Sequence, residues 1–302
     1  MRRKFYTILR AGEKSLTIVA EHTQMVALQE AGGKPPFYMV DSYPYFIDVV
    51  KLIGANQPVM SLIGHEEMLM AGHYNSIADE AAQHVKTILE HQPSGPYMVG
   101  GCSASGIVAY EIAQQMSALG REVGLLVLFD TPNPYYMREY STFWMSLNSY
   151  RDDLTRLSAR EIPKWAAMKF KGLIAKKASW LQNVSRGAVG GQDQLGPSEK
   201  RIEIARKYRA AAYSGRVLLF KRHRELTGRY LDPWFGWGEA VRGDIEICEV
   251  NAVDHLEIFK SELDRAIVAQ KLRECFNYAI ATSSPCSKAY RKPSLEMTAN
   301  RD

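Results

Sequence analysis

The stretch Tyr97-Met98-Val99-Gly100-Gly101-Cys102-Ser103-Ala104-Ser105-Gly106 sets a serine among small residues, between an apolar run and a helical pattern. Strand, tight turn and helix in that order are the context of a nucleophile elbow, Gly-x-Ser-x-Gly. The residues two before and two after the nucleophile must be small, because the backbone packs closely there. The helix N-terminus favours developing negative charge, and its first amides can donate to an oxyanion. Gly101 meets the first demand, while Ser105 stands where the second glycine belongs. A small-residue turn of this kind also cradles phosphate in nucleotide-binding folds, so the motif alone leaves both chemistries open. Cys102, with small flanks of its own, competes as a nucleophile; a cysteine beside an elbow serine is more often a small apolar filler of the sheet.

A serine nucleophile needs a base, and the base needs an orienting acid. Of the seven histidines, His255 lies in Val250-Asn251-Ala252-Val253-Asp254-His255-Leu256, just after the last apolar run. An α/β hydrolase carries its base in that loop, giving the chain order Ser, Asp, His. His22, His65, His73, His84 and His91 precede the elbow. His84 and His91 read as solvated positions on or at the end of a polar helix face, and His223 sits among Lys221, Arg222 and Arg224. Two acids compete. Asp130 follows the apolar run Leu125–Phe129, where the Thr131-Pro132 turn would hold it at the carboxyl edge of a sheet. Asp232 lies beyond the later run Val217–Phe220. Asp254 adjoins His255, and adjacent side chains diverge.

The elements that must position these residues alternate along the chain. Strands are expected at Phe37–Val40, Pro58–Ile63, Tyr97–Val99, Gly124–Phe129, Val217–Phe220 and Ile245–Val250. Helices are expected at Phe46–Ile53, from Ile77 to His91, from Ile107 to Leu119 before Gly120, and over Arg265–Ala281. Such alternation predicts a mainly parallel sheet with helices on both faces. From Thr131 to about Ala210 no strand pattern occurs, and Trp144, Trp165, Trp180 and many lysines read as inserted helices. An insertion above a sheet edge is expected to act as a lid; the plainer alternative is a helical excursion packed on the sheet. Residues 1–24 read as an extension or linker, 25–281 as one domain, and 282–302 as a polar, disordered tail.

At 46% hydrophobic and 24% charged, the 302 residues describe a globular chain and exclude a fibrous or disordered one. A chain this long buries enough surface to need neither metal nor disulfide. No run approaches the ~20 apolar residues of a membrane span. The basic start, Arg2, Arg3 and Lys4, lacks the rest of a signal peptide. The four cysteines form no CxxC pair and read as reduced thiols, so a cytoplasmic protein is expected. The net charge of +5 is well mixed with acidic residues, which fits an enzyme with an acidic partner as well as it fits nucleic acid.

A family resemblance rests on longer motifs. Gln92-Pro93-Ser94-Gly95-Pro96-Tyr97-Met98-Val99-Gly100-Gly101-Cys102-Ser103 and Gly106-Ile107-Val108-Ala109-Tyr110-Glu111-Ile112-Ala113 resemble the thioesterase domains that end nonribosomal peptide and polyketide synthases. Met25-Val26-Ala27-Leu28-Gln29 through Gly33-Lys34-Pro35-Pro36-Phe37 resembles that domain's opening. Leu128-Phe129-Asp130-Thr131 resembles its acid-bearing strand, and Gly236-Trp237 and Asp254-His255 its closing portion. The resemblance spans Met25 to Ala281 and implies an α/β-hydrolase fold: a mainly parallel sheet flanked by helices, with a helical lid insertion at about 131–210. It implies the triad Ser103, Asp130 and His255. The family's nucleophile stands eight residues before the glutamate of Ala-Tyr-Glu, which here is Glu111 and points to Ser103 over Cys102. The synthase-terminal branch carries its acid after the earlier strand, which points to Asp130 over Asp232.

Two departures accompany the match. Ser105 replaces the family's usual glycine, and Asp41-Ser42-Tyr43-Pro44-Tyr45 replaces a His-Pro-Gly-Gly-like loop that supplies one oxyanion amide. The match suggests the amides of Ala104 and Ser42 as the oxyanion pair; the alternative is that the aromatic residues of the loop narrow or block the site. The implied substrate is an acyl, peptidyl or polyketide chain on the 4'-phosphopantetheine arm of a carrier domain, with no bound cofactor or metal. The implied partner is that acyl or peptidyl carrier, and no nucleic acid or membrane is expected. The lysine-rich segment with Lys164, Lys169 and Lys171 offers a docking face for an acidic carrier, the plainer alternative being a solvated helix face. A carboxylesterase or lipase-like hydrolase of free esters, and a non-catalytic acyl- or carrier-binding module, are the rival classes.

Overall fold

The structure is a computed structural model, which describes residues 25–42, 44–63, 74–134, 151, 154, 160, 162–163, 166–167, 197–222, 234–252 and 256–283. The expected lid lies largely outside the described residues, as do His255, Asp232, Lys164, Lys169, Lys171, the first 24 residues and the tail beyond Ser283.

Seven strands form one sheet: β1 (Met25–Gln29), β2 (Phe37–Val40), β3 (Val59–Leu62), β4 (Tyr97–Cys102), β5 (Val123–Phe129), β6 (Val217–Arg222) and β7 (Ile245–Val250). Their order across the sheet is β1-β3-β2-β4-β5-β6-β7. β1 runs antiparallel to β3 at the edge, and every other pairing is parallel. The alternation of strands and helices anticipated this mainly parallel sheet. It did not announce β1, whose five residues are mostly half-buried and show no clean period of two.

The helices are α1 (Ile47–Ile53), α2 (Ile77–His91), α3 (Ala104–Ala118), α4 (Pro197–Lys207) and α5 (Glu262–Ser283), with a short 3-10 turn at Glu257–Phe259. Ser76 caps α2 by accepting from the Asp79 amide at 3.1 Å, while the Asp79 carboxylate accepts from the Asn75 amide. The strand residues divide between two cores because successive side chains point to opposite faces. Tyr38, Val99, Leu126, Leu128 and Leu219 pack under α2, α3 and α4. Phe37, Met98, Val127, Phe129 and Phe220 pack against α1 and α5. Being covered on both faces, the central strands read as continuous apolar runs rather than alternating ones.

The expected strand Tyr97–Val99 continues through Gly100, Gly101 and Cys102, and the helix after it begins at Ala104, three residues before Ile107. The two glycines are in the strand for steric reasons. A Cβ on Gly100 would lie 2.7 Å from Phe37 Cζ and 2.9 Å from the Val127 carbonyl oxygen. The expectation that His84 is solvated is corrected: its side chain is fully buried on α2, with Nε2 3.8 Å from Glu80 Oε1. The last part of the expected lid also belongs to the body. Ala205 of α4 is buried in the core shared with α2 and α3, and Ile204, Tyr208 and Ala210 pack against it.

Candidate active site

Three neighbouring parallel strands, β2, β4 and β5, end at the same edge of the sheet on a non-glycine residue with positive φ. These are Asp41 (φ 48°), Ser103 (φ 53°) and Asp130 (φ 42°). Such conformations cost of order 1–3 kcal/mol each and persist only where the surroundings impose them. At Ser103 the surroundings are visible. Its amide donates to the Phe129 carbonyl at 2.9 Å, while ψ of −122° turns the chain directly into α3. The turn is tight: a Cβ on Gly101 would sit 2.5 Å from the Ser105 carbonyl carbon and 2.7 Å from the Gly106 amide nitrogen. A Cβ on Gly106 would run into the Thr131 side chain. The sequence demand for small residues around Ser103 is therefore a demand of backbone against backbone and of α3 against the strand carrying Asp130.

Cys102 ends β4 on the opposite face, buried with Phe129 and Phe220. Burial pushes its thiol well above the usual range, the neighbouring Asp130 carboxylate adds to this, and Arg222 partly offsets it. A thiol held neutral in an apolar core is a filler and a poor nucleophile.

Asp130 is 5% exposed, and its amide donates to the Phe220 carbonyl at 2.8 Å. Beneath it the rings of Phe129 and Phe220 stack at 4.7 Å. Its Oδ2 accepts from Arg222 Nε at 2.7 Å, a partner that sequence reading did not assign. The backbone beyond is held by the Gly236-Trp237 motif. Trp237 Nε1 donates to the Thr131 carbonyl at 2.7 Å, and Asn133 Nδ2 donates to the Gly236 carbonyl at 2.9 Å. The Ala109-Tyr110-Glu111 motif has a comparable task. Tyr110 Oη donates to the Ala211 carbonyl at 2.8 Å, and Tyr208 Oη donates to Glu111 Oε2 at 2.6 Å, so α3 holds the chain that returns through α4.

Ala104 opens α3, so its N–H has no acceptor within the helix. Ser42 is fully buried, and its amide donates to Ser61 Oγ at 3.2 Å. Tyr45 packs its ring on Phe259 at 5.0 Å against the core shared with α1 and α5, and burial raises its phenol well above the usual range. The loop's departure from the family pattern meets the other departure directly: Ser105 Oγ donates to Asp41 Oδ2 at 3.0 Å. That same carboxylate oxygen accepts from Arg201 Nη1, and Arg201 Nη2 donates to Glu80 Oε1.

The loop expected to carry the base is described up to Ala252. Its stem is tied down where the Asn251 amide donates to the buried Asp264 Oδ1 at 2.9 Å. His255 itself lies outside the described residues, so Ser103 and Asp130 are the members of the expected triad seen on neighbouring strand ends. Among the described residues no three His, Cys, Asp or Glu side chains gather as a metal-ligand set, and no helix is long and apolar enough to cross a membrane.

Comparison with known proteins gives this arrangement its relatives. Residues 56–179 match the family model described as a thioesterase domain. Over 96 residues the chain is 36% identical to the non-reducing polyketide synthase ustP of Ustilaginoidea virens, covering 30% of this chain and 4% of that protein. Malpibaldin synthetase of Mortierella alpina is 23% identical over 254 residues, which is 80% of this chain and again 4% of the relative. The chain thus matches a small part of the length of these curated relatives. Among solved structures, the NocB thioesterase domain in covalent complex with a fluorophosphonate nocardicin G analogue superposes with a TM-score of 0.54 at 20% identity. That match covers 83% of this chain and 98% of that one, and it is a likeness of fold.

Proposed function

We propose that this chain, which carries a thioesterase domain related to those of polyketide and nonribosomal peptide synthases, releases acyl, peptidyl or polyketide chains from a phosphopantetheine carrier through a serine acyl-enzyme. The observation that carries the reading is the strained Ser103, held at a strand-to-helix turn by a bond to β5, with the buried carboxylate of Asp130 ending that neighbouring strand.

In this reading His255 takes the proton from Ser103 Oγ as the oxygen attacks the thioester carbonyl carbon. The oxyanion is met by the Ala104 N–H and by a second amide from the loop after β2. Ser42 is the candidate for that second donor, and its amide must then exchange Ser61 Oγ for the oxyanion. The tetrahedral intermediate collapses, the carbon–sulfur bond breaks, and the phosphopantetheine thiol leaves with the proton from His255. Water, or a hydroxyl or amine of the chain, then attacks the acyl-enzyme while His255 takes its proton and returns it to Ser103 Oγ. Asp130 orients the imidazole and favours its charged form. The carrier is bound transiently as the substrate's arm, in a chain read as one domain over residues 25–281.

The rival reading of a non-catalytic carrier-binding module is favoured by one observation, the Ser42 amide already bonded to Ser61. A fluorophosphonate probe with mass mapping separates the two. Covalent labelling at Ser103, lost in Ser103→Ala, supports the enzyme; absence of labelling supports the module. Faster turnover of an acyl thioester than of a p-nitrophenyl ester separates thioesterase from carboxylesterase.

A further inference from the structure

The two positions where the elbow region departs from its family pattern are bonded to each other, and one of them, Asp41, is bonded in turn to a third element. Asp41 ends β2 in a left-handed conformation, its amide donating to the Leu62 carbonyl at 2.7 Å. The chain then turns sharply, with the Phe46 amide donating to the Ser42 carbonyl at 3.0 Å. One oxygen of Asp41 receives the hydroxyl of Ser105, from the first turn of α3, together with the guanidinium of Arg201, from α4. The other arm of that guanidinium is taken by Glu80 of α2. β2, α3, α2 and α4 are therefore joined through one linked set of side chains, Ser105 to Asp41 to Arg201 to Glu80.

The surroundings make this junction specific. The Glu80 side chain is 4% exposed and that of Arg201 18% exposed, so neither charge is comfortable without the other. Burial alone would disfavour the charged guanidinium. The carboxylates of Asp41 and Glu80 more than offset this and hold its pKa above that of an ordinary arginine. A planar guanidinium offers two parallel arms to two carboxylates, which a lysine ammonium does not. A glycine at position 105 would have no hydroxyl to offer, and the turn after β2 would lose its direct tie to α3.

We propose that Arg201, acting through Asp41 and Ser105, is a positioning residue of the acyl-transfer site. It holds the turn after β2 and the first turn of α3 in the relation that presents oxyanion donors beside Ser103. This rests on the acyl-transfer reading given above. The residue touches neither substrate nor reacting atoms; it acts by keeping two backbone segments in register, where displacement of ~1 Å can cost about a hundredfold in rate.

The test is single-turnover acylation of Ser103 by an acyl N-acetylcysteamine thioester, with KM, kcat and melting temperature measured in parallel. Arg201→Gln and Ser105→Ala are each expected to slow acylation roughly 10- to 100-fold with KM nearly unchanged. The double variant is expected to be no slower than the worse single one, because both act through Asp41. Ser105→Ala leaves the ion pairs intact, so it carries the test if Arg201→Gln fails to fold, and Arg201→Gln/Glu80→Gln supplies a second, charge-balanced variant. Acylation within about twofold of the wild type in folded variants, whatever their melting temperature, overturns the positioning role, as does a fully multiplicative loss in the double variant. Absence of acylation in the wild-type chain overturns the acyl-transfer reading instead.

Discussion

Arg222 Nε donates to Asp130 Oδ2 at 2.7 Å, from the end of β6 to the end of β5, with side-chain exposures of 13% and 5%. If Asp130 orients His255, this guanidinium draws on the same carboxylate that must stabilise the imidazolium. Removing the cation leaves more of that negative charge to the histidine, which raises the pH at which the base loses its proton. Arg222→Gln is therefore expected to move the acid limb of the kcat/KM profile upward by about one pH unit. An unmoved limb would show that Arg222 serves only the fold.

The choice of acid is tested by paired substitutions. Asp130→Asn is expected to lower kcat/KM by well over tenfold, whereas Asp232→Asn should stay within about tenfold of the wild type. The reverse ranking would transfer the role to Asp232.

Cys102 should be inert. Burial, then Asp130, raises its thiol pKa, so the neutral form is the one the fold holds. Its folded pKa lies above the unfolded value of ~8.5, so its contribution to stability is complete below that pH and is lost as the pH rises toward the folded value. Thiol reagents at pH 8 are expected to spare Cys102 in the native protein. Cys102→Ala should lose about 1 kcal/mol of stability yet keep acylation at Ser103. Loss of the acyl-enzyme in a folded Cys102→Ala variant would restore the cysteine as nucleophile.

Gly106 is the steric limit of the elbow. A Cβ there would collide with the Thr131 side chain, one residue past Asp130. Gly106→Ala is expected to cost about 1–3 kcal/mol, read as a lowered denaturant midpoint. Trimming the obstacle in Gly106→Ala/Thr131→Ser should recover part of the loss; no recovery would place the strain elsewhere.

Much of the frame was legible because its signals are local. The Ile77–Ile88 spacing, the Gly120 stop and the apolar runs of β2, β3, β5, β6 and β7 each report one element within a few residues. β1 escaped because an edge strand is defined by pairing with β3, across the intervening β2 and α1, more than by its own pattern. His84 was misread because its helix is covered on a face the amphipathic pattern left polar: Glu80 and His84 lie there one turn apart, both buried, with Glu80 bonded to Arg201.

By itself the sequence determined where the backbone must turn and which residues stand at the turns: Ser103 between strand and helix, Asp130 at the next strand end, and small residues wherever backbones approach. Those demands act over a handful of residues, so composition and spacing express them. The tertiary structure alone decided which charges meet. Asp41 with Ser105, Asp41 with Arg201 and Asp130 with Arg222 join positions 64, 160 and 92 residues apart. No periodicity encodes such pairs. Parallel strands bring their ends to one edge only after the intervening helices have crossed over, and the energy of a buried carboxylate depends on the partner that arrives there.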